Sequence, residues 1–187
     1  SVLVDMPKIH DKAIIRLDAD ETAMLLDFIE HGGDELTGQK RVYWEKTKIR
    51  DLALITLLLG TGIRVSECVG LDITDVDFKN NGIKEGITPL AGHENALFLS
   101  TQRKRIGIKA VENLVKKYAS QITGTKKITP HKLRSTYGTA LYQETGDIYL
   151  VADVLGHKDV NTTKKHYAAM DDQRRRRAAS AVRLRED

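Results

Sequence analysis

One cysteine, Cys68, stands among 187 residues, so no internal disulfide is possible and a reducing compartment is the simplest setting. No apolar run approaches the ~20 residues of a membrane span, and the start of the sequence has no apolar core of the secretory type. The expectation is a cytoplasmic protein without a membrane. Clusters at metal-ligand spacing are missing as well. His93-Glu94 lacks the second histidine of a zinc-protease helix and reads as loop, so neither a metal nor another cofactor is expected. There is no internal repeat, and the only low-complexity stretch is Arg174-Arg175-Arg176-Arg177. Carboxylates are scarce where lysine and arginine are dense: from Arg103 to Arg134 the single acid is Glu112.

What is present suits a folded, basic protein. The hydrophobic content of 41% supports a core, and the length fits one compact domain. The net charge of +4 is unevenly placed, in the stretch from Arg103 to Arg134 and in the arginine run with Arg183 and Arg185. Such asymmetry suits a polyanion, with nucleic acid first and an anionic membrane surface second. A solvated basic face is the plain alternative. Cys68 lies in an apolar segment and reads as a small buried side chain.

Periodicity predicts a mainly α protein with a small antiparallel β-sheet (α+β). Residues 1–17, with Pro7 and no helical period, read as a linker or leading strand. Asp18 or Asp20 caps a helix whose Leu25, Phe28 and Ile29 share a face and which stops at Gly32-Gly33. A charged loop runs through Arg41, then a helix over 44–59 breaks at Gly60 and Gly62. A short helix carries Arg64 to Cys68 and closes at Gly70. Val76 and Phe78 alternate with polar residues, Asn80-Asn81-Gly82 is a tight turn, and Ile83 begins the return strand. Leu97-Phe98-Leu99 reads as a further strand. Ile108, Val111, Leu114, Val115 and Tyr118 mark one helix face. Thr129-Pro130 starts a helix that runs to Thr145 and stops at Gly146, and Asp147 caps the next, which ends at Gly156. In the tail, Asp171-Asp172 caps a short helix through Val182, with a frayed terminus as the alternative.

Several residues carry chemistry only in company. His131 and Arg134 share a face in the first turn of one helix, where exposed N–H groups and the dipole also favour an anion. Arg64 sits where an apolar helix breaks at Gly-Thr-Gly. His157 follows Gly156, at which the chain can turn sharply. Tyr167 follows in Thr163-Lys164-Lys165-His166-Tyr167. Each alone has a structural reading; together they describe a phenol in cationic surroundings, suited to attack on a phosphate. Two guanidiniums stabilise charge building on phosphoryl oxygens, and a phenol of pKa near ~10 needs such neighbours to react at neutral pH.

In this order, Gly60-Thr-Gly-Ile-Arg-Val-Ser-Glu67, Thr129-Pro-His-Lys-Leu-Arg134, Leu155-Gly-His157 and Tyr167 resemble the signature of the tyrosine recombinase (phage integrase) family. The wording is similar to integrases of conjugative transposons and phages of Gram-positive bacteria. The resemblance covers residues 18–170 and implies that family's catalytic-domain fold. It implies that Arg64 and Arg134 clamp the scissile phosphate, that His131 assists proton transfer, that His157 contacts the phosphate and that Tyr167 is the nucleophile. Glu67 orients Arg64. In the basic stretch and beside His131, Arg103, Lys104, Arg105 and Lys132 are the expected DNA contacts. The implied reaction forms a 3′-phosphotyrosyl linkage and a 5′-hydroxyl without metal or ATP. The implied function is integration and excision of a mobile element by a bacterial protein that joins the nucleoid when bound to DNA. Resolution of chromosome or plasmid dimers by the same chemistry is one alternative, and a catalytically silent DNA-binding module is another. Implied partners are double-stranded recombination sites, further copies in a tetramer on DNA, and accessory DNA-bending or excision proteins.

Two departures from the family pattern stand out. A catalytic lysine is expected on a β-hairpin between the Arg64 block and the His131 block, but Ile83-Lys84 runs straight into Glu85-Gly86-Ile87-Thr88-Pro89-Leu90. The favoured reading is a stretch missing between Lys84 and Glu85; a naturally short variant, with Lys84 as substitute, is the other. At the start, residues 1–17 look like the linker from an absent N-terminal DNA-binding domain. The basic tail, 171–187, is expected to pack on a neighbouring protomer.

Overall fold

The computed structural model describes residues 15–76, 88–161, 163, 164 and 167. They divide into two compact units, one from Ile15 to Gly146 and one comprising the residues from Asp147 onward.

In the first unit, α1 (Ala19–His31) begins at Asp18. The Asp18 carboxylate accepts the Glu21 N–H at 2.8 Å and the Glu21 carboxylate accepts the Asp18 N–H at 2.9 Å, a reciprocal cap that satisfies two otherwise unpaired donors. The turn after α1 presses Gly33 against the indole of Trp44: a Cβ there would lie 2.3 Å from Trp44 Cδ1, so only glycine allows the approach. α2 spans Gly38–Thr61 and thus takes in the end of the charged stretch that was expected to be loop as far as Arg41. Its first turns lie in water, where helix formers such as Gln39, Lys40 and Arg41 carry no apolar period.

Leu54, Ile55 and Leu58 of α2 are buried with Leu25 and Ile29 of α1, Val111 and Val115 of α4 (Ile108–Ile122), and Leu133 of α5 (Pro130–Thr145). Ile108 remains 42% exposed at the first position of α4 rather than joining the buried face. Phe28, Trp44 and Tyr118 meet edge to face, with ring centroids 5.4 to 6.4 Å apart. A buried ion pair is tied into this core. Asp51 accepts from Arg50 Nε and from the Tyr118 hydroxyl, each at 2.8 Å, while Arg50 Nη1 donates to the Leu99 carbonyl at 3.0 Å. α2 is thereby bonded to α4 and to the segment before Ser100.

Between α3 (Val65–Gly70) and α4 the described residues form no part of the sheet expected from the sequence. Among the described residues no strand exists, and the chain is mostly helical. Two isolated antiparallel bridges remain, Asp72 with Ala96 and Leu99 with Arg105. Leu97 N–H donates to the Leu71 carbonyl at 3.0 Å and Ile106 N–H to the Phe98 carbonyl at 3.0 Å. Leu97-Phe98-Leu99 therefore pairs on both sides, but only briefly. A 3-10 turn at Ile73–Asp75 ends one pairing, and a tight turn with Arg103 in the left-handed region (φ 62) ends the other. The alternation of Val76 with Phe78, the Asn80-Asn81-Gly82 turn, Ile83 and the Lys84–Glu85 junction fall outside the described residues, except that Val76 is a bend after the 3-10 turn.

Of the expected linker 1–17, residues 15–17 are described. Leu17 is 2% exposed within the core, and its N–H donates to Thr136 Oγ1 of α5 at 3.1 Å. Residues 1–14 and the tail 171–187 lie outside the described residues.

In the second unit, Asp147 caps α6 (Ile148–Val154), its carboxylate accepting the N–H groups of Tyr149 at 2.8 Å and Leu150 at 3.0 Å. Gly156, at φ 56, ends this turn in the left-handed region. Residues 160, 161, 163, 164 and 167 are helical. No helix among the described residues is long and apolar enough to cross a membrane.

Candidate active site

The first unit builds a cationic pair on one bend. α2 stops at Gly62, which adopts φ 62 and ψ 19 and returns its N–H to the Leu58 carbonyl at 3.2 Å. The chain then turns into α3 with Arg64 at the N-cap. Glu67 holds Arg64 at both ends: its carboxylate accepts the Arg64 backbone N–H at 2.9 Å and Nη1–H at 2.8 Å. These two bonds, backbone first, together with the charges of Arg64 and Arg134, hold the Glu67 carboxyl below the usual carboxylate range. Both side chains stay about half exposed, at 47% each, so the pair orients Arg64 more than it stabilises the fold.

α5 delivers the second guanidinium. Thr129 caps it by accepting the Lys132 N–H, and Pro130 sits at its start. Arg134 is 7% exposed, and its Nη1 donates to the Gly62 carbonyl across 72 residues of sequence. Arg134 is thus fastened to the bend that presents Arg64. His131, one turn earlier on α5, is exposed, as suits a group meant to meet a ligand.

The second unit holds the other two. His157 follows Gly156, its N–H donates to the Ala152 carbonyl at 2.9 Å, and its Nδ1 lies 2.7 Å from Thr163 Oγ1. Tyr167 is 2% exposed. Nearby on the same helix, Lys164 Nζ donates to the Tyr149 hydroxyl at 3.2 Å and lies 5.0 Å from its ring centroid.

The remaining expected residues separate. Arg103 and Lys104 are exposed on the tight turn, and Lys132 is half-buried on α5. Arg105 is turned inward: its Nη1 donates to the carbonyls of Leu71 at 2.7 Å and Val69 at 3.1 Å, and its Nη2 to the Asp72 carboxylate. That guanidinium ties the turn to the end of α3. Lys84 lies outside the described residues. Two contacts had no place in the sequence reading, the Gly62 carbonyl under Arg134 and the Thr163 hydroxyl beside His157. The Gly-Thr-Gly break signals the first; a threonine one turn before the tyrosine is the only hint of the second.

Comparison with known proteins places this geometry. The model of the phage integrase family matches residues 16–88 and 84–174, two pieces that meet where the hairpin lysine was expected. The tyrosine recombinase XerS of Streptococcus uberis is 32% identical over 176 residues, and that of Lactococcus lactis 33% over 176; each match takes in 77% of this chain and 49% of the relative. The chain therefore spans about half the length of the curated relatives it matches. Since 77% of a 187-residue chain supplies fewer than 176 residues, the relatives carry residues with no counterpart here. Among solved structures, XerH site-specific recombinase bound to palindromic difH substrate superposes with a TM-score of 0.68 at 22% identity, over 94% of this chain and 55% of that one. The Tn1549 transposon integrase in complex with circular intermediate DNA superposes at 0.60 and 22%, over 88% of this chain and 68% of that one. The fold is that of these recombinases.

Proposed function

We propose, from the premise that this chain belongs to the phage integrase family, that it carries the strand-transfer centre of a site-specific DNA recombinase serving integration and excision of a mobile element. The observation that carries the reading is the seating of Arg134 on the Gly62 carbonyl, beside Arg64. Two guanidiniums on one rigid bend suit the two non-bridging oxygens of a phosphodiester, and their charge is placed before the reaction begins. His131 adds a proton carrier on the same face as Arg134.

In this reading Tyr167 Oη attacks phosphorus, the bond to the 5′-oxygen breaks, and a 3′-phosphotyrosyl ester and a 5′-hydroxyl result. The phenol's proton leaves to a base, and the departing oxygen gains one. One phosphodiester is exchanged for another, so a second 5′-hydroxyl reverses the step without ATP. His157 donates to the phosphate. Arg103, Lys104 and Lys132 contact phosphates nearby, while Arg105 serves the fold.

The general-acid lysine belongs to the stretch missing between Lys84 and Glu85. The two-piece family match and the surplus aligned residues of the relatives support that reading. The same break favours a second one, a DNA-binding module that has lost catalysis. Partners in the leading reading are duplex recombination sites, further copies in a tetramer, and accessory DNA-bending or excision proteins. Two of the solved neighbours are complexes with DNA, difH substrate in one and circular intermediate DNA in the other, which supports the DNA partner.

A nicked suicide duplex bearing the element's ends decides between the two. The full-length protein should form a covalent adduct, visible on a denaturing gel, that persists in chelator and disappears in Tyr167→Phe. No adduct with the cognate duplex would leave the silent module.

A further inference from the structure

Helical threonines often turn the hydroxyl back onto their own helix, and several here do, although the buried Thr139 of α5 makes no hydrogen bond through its hydroxyl. Thr47, Thr61, Thr136 and Thr145 donate to the carbonyl four residues earlier, at 3.1, 2.7, 3.0 and 2.7 Å. Thr163 is different. It is fully buried, at 0% exposure, and its Oγ1 lies 2.7 Å from Nδ1 of His157, six residues back. Thr163 and Tyr167 are four apart in a helical stretch and share a face. One helix face thus carries the proposed nucleophile and the group that touches the imidazole.

We infer that Thr163 is a positioning residue, whose hydroxyl sets the ring orientation and tautomer of His157 for strand transfer. The inference rests on the proposed function above. A neutral imidazole has one N–H and one bare nitrogen, and the bond made at one nitrogen selects the state of the other. When the Thr163 hydroxyl donates to Nδ1, the ring hydrogen resides on Nε2. Any hydrogen bond from His157 to a phosphate oxygen must then come from Nε2. When the ring takes up a second proton, Nδ1–H donates and the same hydroxyl accepts, so the ring need not turn. A backbone carbonyl in this position would accept only. It would draw the hydrogen to Nδ1 and strip Nε2 of its donor in the neutral ring. A hydroxyl that donates to the neutral ring keeps Nε2 a donor in both protonation states.

The rest of the loop supports a fixed ring. Gly156 reverses the chain at φ 56, and the Asp159 carboxylate accepts the Asn161 N–H at 2.8 Å as the next helix begins. His157 is therefore held between two ordered ends, with Thr163 as the side-chain contact from the second.

The test compares Thr163→Val, which keeps the shape and removes the hydroxyl, with Thr163→Ser, which keeps the hydroxyl. Long-range ¹H–¹⁵N NMR on the 187-residue chain reads the His157 tautomer, with His157→Gln assigning the signals. The wild type should show a bare Nδ1 and a protonated Nε2, the valine variant a mixture, and serine the wild-type pattern. In the full-length protein, adduct formation with the nicked duplex should slow about tenfold or more in Thr163→Val and recover in Thr163→Ser. Should valine melt the segment, Thr163→Ala gives the same two readouts. An unchanged tautomer, or equal adduct rates in wild type and valine variant, would overturn the role of Thr163. A wild-type protein that forms no adduct would instead overturn the strand-transfer reading.

Discussion

Arg134 donates through Nη1 to the carbonyl oxygen of Gly62, so the second guanidinium of the site is seated on the bend that presents the first. The bend depends on Gly62 lying at φ 62, where a Cβ crowds the following carbonyl. Gly62→Ala should lower unfolding stability by about 1 kcal/mol and, by tilting the carbonyl, also weaken binding of a DNA duplex. Gly60 supplies the control. It lies within α2, with nothing within 4 Å of a built Cβ, so Gly60→Ala should be neutral or stabilising by about 0.5 to 1 kcal/mol. Urea melts and a DNA-binding titration on both variants check the pair. Equal behaviour of the two alanines would refute the role given to the bend.

Glu67 yields a prediction in acid. Its hydrogen bonds to Arg64 lower its pKa in the folded protein. A lowered carboxylate contributes stability above its unfolded pKa, and that contribution is lost as pH falls through the folded one. Arg64 should therefore stay aligned at neutral pH and across the ordinary carboxylate range, loosening only in stronger acid. A ¹³C titration of the carboxyl groups should place Glu67 below the usual carboxylate range. Glu67→Gln keeps an acceptor but loses the charge, and should reduce adduct formation without changing the melting temperature appreciably.

The legible parts of this chain are those written locally. α5 is announced at both ends, by Thr129-Pro130 and by Gly146 at φ 69, and α1 by the Asp18 cap. Arg64, Glu67, His131, Arg134, His157 and Tyr167 are readable as motif because their order and spacing survive in the linear sequence. The start of α2 is not, since exposed polar turns carry no hydrophobic period. Nor was the fate of Leu97-Phe98-Leu99: alternation reports that Phe98 is buried, not that a partner runs beside it long enough to make a sheet. Arg103 and Arg105 look alike in a basic run, yet the bridge from Leu99 to Arg105 turns Arg105 toward Asp72. The seat of Arg134 is a backbone oxygen, which has no side-chain signature, 72 residues away.

The buried phenol of Tyr118 predicts an alkaline limit to stability. Desolvation, then the charge of Asp51 and the hydrogen bond to it, push its pKa far above the ordinary value. A raised folded pKa gives stability that is present below the unfolded pKa, near ~10, and is lost as pH rises beyond it. Ultraviolet titration should therefore show Tyr118 ionising only as the protein unfolds. Tyr118→Phe should remove that tyrosine from the titration and weaken the alkaline dependence, at a loss of about 1 to 3 kcal/mol at neutral pH for the unpaired Asp51 oxygen. A Tyr118 that titrates in the native protein would contradict the buried bond.

Arg103, Lys104 and Arg105 are consecutive and alike in charge, but the structure predicts different consequences for each. Arg105 holds the carbonyls of Val69 and Leu71 and the Asp72 carboxylate, so Arg105→Ala should lower the melting temperature by removing these three bonds. Arg103 and Lys104 are exposed on the turn, where each removed charge should leave folding unchanged and weaken DNA binding. Phosphate contacts release counterions, so the slope of log affinity against log salt should fall by about one per lost contact. For Arg103→Gln that substitution must also keep the left-handed φ of 62, which Arg103→Gly relieves; the two variants should share the reduced salt slope and differ in stability. Binding curves with a nonspecific duplex at several salt concentrations, run beside thermal melts, separate these effects. A salt slope that drops with Arg105→Ala but not with Lys104→Ala would reverse the assignment and point to Arg105 as the DNA-facing cation.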